Sequence, residues 1–448
     1  MKYIPHTQAD IDQMLQVVGV DSLDDLYGEV PEQLKLKREL DLPSAMSEIE
    51  IRNHIEALAD QNKLLTIFAG AGSYDHYTPS VIPYIMSRSE FSTSYTPYQA
   101  EISQGTLQYI FEYQTMMARL TGLDISNASM YDGATATAEA MMMCVAAAKK
   151  RNKVLIASTF APRVLDVVAT YAKYHGVELV KIPQIDGVSD KAFVDEALAQ
   201  DDVAGVIVAQ PNYWGIVEDF TGWADQCHEH KTLFVVNAIA STLGVLRTPG
   251  EWGADIACGD AQSLGIPVGY GGPYIGYLCT TKALIRKMPG RLVGETVDAA
   301  GQRCFVLTMQ AREQHIRREK ATSNICTAQG YMCLHVAMYL SMMGEQGLRE
   351  VCQQSYSAAH YLQEKLLETG KFEPCYSAPF FNEFTLKYTG EEGAKAFHKR
   401  MAEAGILAGV LVEGEADKII FAVTEKRTPE EVARFLSLVY SQLNFDSL

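Results

Sequence analysis

Residues 259–277, GDAQSLGIPVGYGGPYIGY, have the composition of an active-site floor. An apolar run ends at Asp260, a polar turn follows, and repeated glycines let backbone approach a ligand closely. The stretch nonetheless holds no lysine, cysteine or histidine, the side chains that most readily supply a nucleophile or shuttle a proton. A second stretch, SMYDGATATAEAM at 129–141, joins a turn to a helical run. Free N–H groups of Gly133, Ala134 and Thr135 at a helix start would cup an anion. An Asp-Gly turn followed by alanine-rich packing accounts for the same letters, and the residues alone do not choose between the two.

Other candidates carry less chemistry. CHEH at 227–230 sets its histidines two residues apart, on different helix faces, so they do not converge on a metal as an i, i+4 pair would. Met141, Met142 and Met143 sit among alanines and read as core packing. The basic run REQHIRREK at 312–320 reads as a solvated helix turn when taken in isolation. FSTSYTPYQAEISQG at 91–105 differs in kind: its tyrosines, glutamines and glutamate surround a proline with little apolar periodicity. It is a polar loop or the lining of a pocket or interface, and its aromatic density favours the lining.

The elements that must position these residues follow from the hydrophobic pattern. Residues 1–60 show helical periodicity (IDQMLQVVGV, EIEIRNHIEALADQN) broken by Pro31 and Pro43, an N-terminal helical arm. From 61 to 330, short β-rich runs (KVLIAS, ELVKIP, VAGVIVAQP, TLFVVN, DIACGDA, YIGYLCT) alternate with amphipathic stretches. Such alternation builds a mostly parallel sheet covered by helices, with ligands bound beyond the carboxyl ends of the strands. Asn212, Asn237 and the Asp260–Gly272 loop stand at those ends. A helical stretch over about 322–345 follows, and 331–448 comprises this linking helix and a smaller C-terminal α/β domain, with strands in FNEFTLKY and KIIFAV and a last helix capped by Thr428 and Glu431.

Composition excludes several classes. With 48% hydrophobic and 21% charged residues the chain reads as soluble and folded; no run reaches the roughly 18 unbroken apolar residues of a membrane span, and the opening MKYIPHTQADIDQM, without a charged and then apolar leader pattern, gives no expectation of export. A net charge of −17 argues against nucleic acid, whose phosphates recruit clustered Lys and Arg. Nine cysteines scattered without a C-x-x-C pair fit a reducing compartment, so a cytoplasmic setting is expected.

Four strings in order give the chain a family. YTPYQAEISQG (95–105), YQTMMARLTGLD (113–124), NASMYDGATA (127–136) and REQHIRREKATSNICTAQ (312–329) resemble hallmarks of subunit 1, the α subunit, of the glycine cleavage system P-protein family, the decarboxylating glycine dehydrogenases that use pyridoxal phosphate (PLP). The resemblance implies an α/β fold of the PLP-dependent transferase type (aminotransferase-like, fold type I), with a large mixed, mainly parallel sheet domain and a smaller C-terminal domain.

The resemblance also gives the first loop a meaning. Catalytic relatives carry His-Lys-Thr where this chain has Ala261-Gln262-Ser263. An amide nitrogen is not nucleophilic, so Gln262 forms no Schiff base. Asn237 stands where an aspartate would keep the pyridine nitrogen protonated. No catalytic residue, no covalent cofactor and no metal site are therefore expected in this chain.

The resemblance implies that PLP is held covalently by a partner, P-protein subunit 2, in an α2β2 heterotetramer. That assembly would decarboxylate glycine and pass the aminomethyl group to the lipoyl arm of the H-protein. Tyr95, Tyr98, Thr322, Ser323 and Asn324 are expected to reach the partner's active site. The competing reading is a free-standing binding or scaffold protein on a degenerate PLP-enzyme fold. No Ser-His-Asp, Cys-His or spaced metal set stands in for the missing lysine to suggest an enzyme of another class.

Overall fold

A computed structural model describes residues 5–93, 96–269 and 271–440. The chain forms two compact units that meet in sequence at Lys63 and Leu64. The N-terminal unit contains the helices Gln8–Val18 and Glu48–Ala59, each opened by a capping box, Thr7 with Asp10 and Ser47 with Glu50. None of its described side chains is buried.

The second unit is organised by a seven-stranded sheet. In chain order its strands are β1 (Ile125–Ser126), β2 (Lys153–Ala157), β3 (Glu178–Ile182), β4 (Val203–Gln210), β5 (Leu233–Ala238), β6 (Ile256–Asp260) and β7 (Gly276–Thr280). Their spatial order is β1-β7-β6-β5-β4-β2-β3. Strands β6, β5, β4, β2 and β3 run parallel, and β7 lies antiparallel to both β6 and β1. All eight residues of β4 are buried, as expected of a central strand covered on both faces.

Asn237 pairs in register with Cys258, so the ends of β5 and β6 open side by side. The helix Gly133–Ala147 starts against those ends. A Cβ on Gly133 would lie 2.8 Å from the Asp260 backbone nitrogen, so only glycine lets the helix begin this close to the strand.

The strands Phe372–Pro374, Glu383–Tyr388, Lys418–Ala422 and Val410–Leu411 form a second sheet, in that spatial order. The helices Ala394–Glu403 and Pro429–Tyr440 accompany it. The predicted cap is present: the Thr428 N–H donates to Glu431 at 2.9 Å and the Glu431 N–H donates to the Thr428 hydroxyl at 3.2 Å.

Two local features depart from the periodicity. The helix expected from about 322 begins only at Gly330, and it runs to Glu368 through a break at Gly344 (φ 59°). Upstream, backbone donors are spent on tertiary and local partners: Gln329 N–H on the Ser129 hydroxyl (2.9 Å), Cys326 N–H on the Tyr131 hydroxyl (3.3 Å), Ile325 N–H on the Ser323 hydroxyl (3.1 Å). A hairpin also pairs Leu292–Val297 with Arg303–Thr308, turning through Asp298 and Gly301. No described helix is long and apolar enough to cross a membrane.

Candidate functional site

A pocket of about 710 Å³ lies beyond the carboxyl ends of β5 and β6. Asn237, Asp260 and Ser263 form its floor, Asp132 and Gly133 one wall, and the loop Gly70–Tyr74 another. No lysine lines it, and Arg163 is the one cation among its described lining residues, against Asp132, Asp260 and Glu413.

Gln262 follows Asp260 but does not line the pocket, and its side chain is 1% exposed. Its Oε1 accepts from the Tyr74 N–H at 2.8 Å, and its Nε2 donates to the Tyr74 carbonyl at 2.8 Å and to the Ile266 carbonyl at 2.7 Å. Both amide hydrogens are therefore used, and the group acts as a strut between two loops. Asn237 Nδ2 donates to the Thr137 hydroxyl at 2.7 Å, which ties β5 to the helix above it.

The helix start at Gly133 has the geometry of an anion cup, but carboxylates of this chain take two of its three N–H groups, those of Gly133 and Thr135. Asp132, the N-cap, accepts from the Thr135 N–H at 2.7 Å, and Asp260 accepts from the Gly133 N–H at 3.1 Å. Asp260 also accepts from the Gln262 N–H at 2.8 Å. Burial nevertheless pushes the Asp260 carboxyl up to about 7, outweighing those bonds, which favour its charged form. A phosphate dianion placed here would displace or face these carboxylates. The residues present do not fit a PLP held by a lysine and a phosphate cup.

The predicted residues do not gather in one place. Asn237 belongs to the strand-end pocket, with Gln262 directly behind it. Asn212 does not join them; it is buried and donates to Glu218 and to the Gly187 carbonyl, each at 2.8 Å. Tyr98 lies elsewhere, beside Arg291 and the hairpin 292–308, near a cavity that Thr327 and Gln329 also line, whereas Ser323 lies against Glu139 of the helix Gly133–Ala147. Tyr98 accepts a hydrogen bond from Arg291 at 3.0 Å and is 56% exposed. Thr322 and Ser323 are half-buried and Asn324 is exposed. Ser323 also hydrogen-bonds Glu139, whose carboxyl burial pushes up to about 7. Tyr95 lies outside the described residues, as does Tyr270 of the glycine-rich loop.

The histidines of CHEH pair with separate carboxylates, His228 with Asp255 at 2.9 Å and His230 with Asp201 at 2.7 Å. Met141 and Met143 are buried in the core. In the basic run, Arg317, Arg318 and Lys320 are exposed, whereas Arg312 turns inward to the Met288 and Gly290 carbonyls.

Sequence reading missed Glu383. It is 3% exposed, accepts from the Ala71 N–H and, at 2.9 Å, from the Tyr74 hydroxyl, and is pushed by burial up to about 7. It thereby holds the pocket loop from the second sheet. Its only signal was an acid inside an apolar strand pattern, FNEFTLKY.

Comparison with known proteins bears on the family and the fold. The family described as "Glycine cleavage system P-protein" matches residues 1–439. The chain is 47% identical over 446 residues to "Probable glycine dehydrogenase (decarboxylating) subunit 1" of Carboxydothermus hydrogenoformans, covering 98% of this chain and 99% of that one. It is 46% identical to the like-named protein of Geobacillus kaustophilus, at 97% and 98% coverage. A crystal structure of glycine decarboxylase (P-protein) of the glycine cleavage system, in inhibitor-bound form, superposes with a TM-score of 0.89 at 42% identity, covering 98% of this chain and 99% of that one. At 16% identity, alanine–glyoxylate aminotransferase from Nostoc sp. shares the fold, with a TM-score of 0.60 over 91% of this chain and 98% of its own. With its mixed, mainly parallel sheet and its pocket at the strand ends, the chain has the PLP-dependent fold type I architecture and belongs to the glycine cleavage system P-protein family.

Proposed function

We propose that this chain is the noncatalytic half of a two-subunit glycine decarboxylase. Its partner, subunit 2, carries PLP on a lysine, and the α2β2 assembly works in the cytoplasm on glycine and the lipoyl arm of the H-protein. The observation that carries the reading is the buried Gln262, whose amide is used up bracing Tyr74 and Ile266; the reading takes this residue as the counterpart of the family's Schiff-base lysine. Asn237, bonded to Thr137, supports it, because a neutral amide does not hold a pyridine nitrogen protonated. When bound by subunit 2, PLP supplies the electron sink for loss of the glycine carboxylate.

This chain's own part is to shape that neighbouring site. Thr322, Ser323 and Asn324 follow the short helical turn Arg318–Lys320 and precede the helix that starts at Gly330, in a segment with no regular secondary structure. A hydroxyl from such a segment is free to donate across a subunit interface, Thr322 toward the cofactor phosphate. Tyr98, and Tyr95 beside it in sequence, would line the substrate channel and limit the entry of water.

The test is co-expression with subunit 2 followed by borohydride reduction and peptide mapping. The pyridoxyl group is expected on a lysine of subunit 2, and glycine–carbon dioxide exchange should require both chains. An adduct on this chain, or full exchange by subunit 2 alone, would overturn the reading.

A further inference from the structure

The face that carries Tyr98 encloses a second cavity, and its electrostatics are the reverse of the strand-end pocket. It holds about 270 Å³ and lies between Thr96, Tyr131, Arg291, Thr327 and Gln329, over an apolar base that includes Val293. Arg291 is the one charged residue among its described lining, in a chain of net charge −17.

Arg291 is 7% exposed, and among the described residues its guanidinium has a tyrosine, not a carboxylate, as its hydrogen-bond partner. Nη2 donates to the Tyr98 hydroxyl at 3.0 Å, with the guanidinium carbon 5.2 Å from the Tyr98 ring centroid. Nε is sealed from solvent without a partner. A buried guanidinium with so little compensation is costly, and an orphaned buried donor calls for a physical explanation.

Its backbone is nonetheless held firmly. The Arg291 carbonyl accepts from the Ala128 N–H at 2.8 Å, Asn127 donates to the Pro289 carbonyl at 3.1 Å, and Arg312 donates to the Met288 and Gly290 carbonyls on the same turn. The fold thus fixes a fork-shaped cation in a small chamber with hydroxyl and amide groups around it.

We infer that this chamber binds a small planar oxyanion, a carboxylate or bicarbonate, with Arg291 as its anchor and Tyr98, Thr96 and Thr327 as neighbouring hydroxyls. One positive charge matches a monoanion, whereas a phosphate dianion would leave a charge unmatched. A guanidinium meets a carboxylate through two parallel hydrogen bonds, which a lysine ammonium does not reproduce. The inference goes beyond the reading of Gln262 and stands whether or not that residue replaces a lysine.

The test is calorimetric titration of the full chain with sodium acetate, glycine, bicarbonate and inorganic phosphate, first alone and then in complex with subunit 2. Saturable binding of at least one carboxylate or bicarbonate, tighter than phosphate, is expected in both forms. Arg291→Met should weaken it about tenfold or more. Arg291→Lys keeps the charge and guards against a folding defect; it should weaken binding by a smaller factor while the circular dichroism spectrum stays unchanged. Glycine binding tighter than acetate identifies an amino acid as the source of the carboxylate, and equal binding identifies a simple carboxylate. Absence of saturable binding, binding unaffected by both variants, or binding lost once subunit 2 is present would overturn the assignment; the last outcome would mean that a partner carboxylate takes the guanidinium.

Discussion

Gln262 and Tyr74 are joined by a reciprocal pair of hydrogen bonds, side-chain oxygen to backbone N–H and side-chain nitrogen to backbone carbonyl, each 2.8 Å long. The arrangement copies one rung of an antiparallel ladder, with an amide side chain in place of a second strand. It clamps the Gly70–Tyr74 loop onto the end of β6 from inside, while Glu383 holds the same loop through Ala71 and the Tyr74 hydroxyl.

Replacing Gln262 with lysine is therefore expected to fail as a rescue. Gln262→Lys removes the acceptor for the Tyr74 N–H and buries an ammonium, at a cost of about 3 kcal/mol. The thermal midpoint should fall, and borohydride treatment with PLP should leave no pyridoxyl group at residue 262. A stable variant that forms that adduct would count against the strut role of the amide.

Glu139 gives a pH signature. Its carboxyl is pushed by burial up to about 7 and hydrogen-bonds Ser323. An unfolded glutamate titrates near roughly 4.3, so between those values the native state holds a proton that the unfolded state has released. Stabilisation by this group is complete below about pH 4 and is lost as pH rises toward about 7, at about 1.4 kcal/mol per pH unit. Glu139→Gln removes the titration. Its stability relative to wild type should rise between about pH 5 and pH 7 and level off above, in denaturation curves at each pH. A difference independent of pH would show that Glu139 is ionised throughout that range.

Arg312 is a positioning residue for the turn that carries Arg291. Arg312→Lys keeps a cation but loses the two-pronged contact to the Met288 and Gly290 carbonyls, at about 1–2 kcal/mol. Hydrogen exchange should quicken at the Ala128 amide, whose acceptor is the Arg291 carbonyl. Unchanged protection there would place the restraint in Asn127 instead.

Thr322→Ala tests the reach into the partner. A hydroxyl bond to a phosphate dianion is worth roughly 1.5–3 kcal/mol, so the assembled complex should lose PLP affinity by about tenfold or more. Assembly should survive, as sizing will show. Unchanged affinity and unchanged glycine–carbon dioxide exchange would make the segment an ordinary contact.

Much of this was legible in the letters because local periodicity records burial. Runs such as VAGVIVAQ and LFVVNA are short, apolar and rich in β-branched residues, the marks of covered strands, and Thr428 with Glu431 marks a helix start over a span of three residues. The absence of lysine from the glycine-rich loop, and the family strings around it, were equally plain. The segment 322–329 misled because its letters suit a helix, while its donors find partners at Ser129 and Tyr131, nearly two hundred residues upstream.

By itself, then, the sequence determined the alternating α/β architecture, the family and a strand-end loop without a reactive amine. Tertiary structure alone decided what the polar residues do. It set Asp132 and Asp260 on the helix N-terminus, turned Gln262 away from the pocket to Tyr74, and left Arg291 beside Tyr98 with no carboxylate partner among the described residues. Burial patterns repeat every two to four residues and can be read locally. The partner of a buried polar group is fixed by which distant segments the sheet brings together, and no local pattern carries that information.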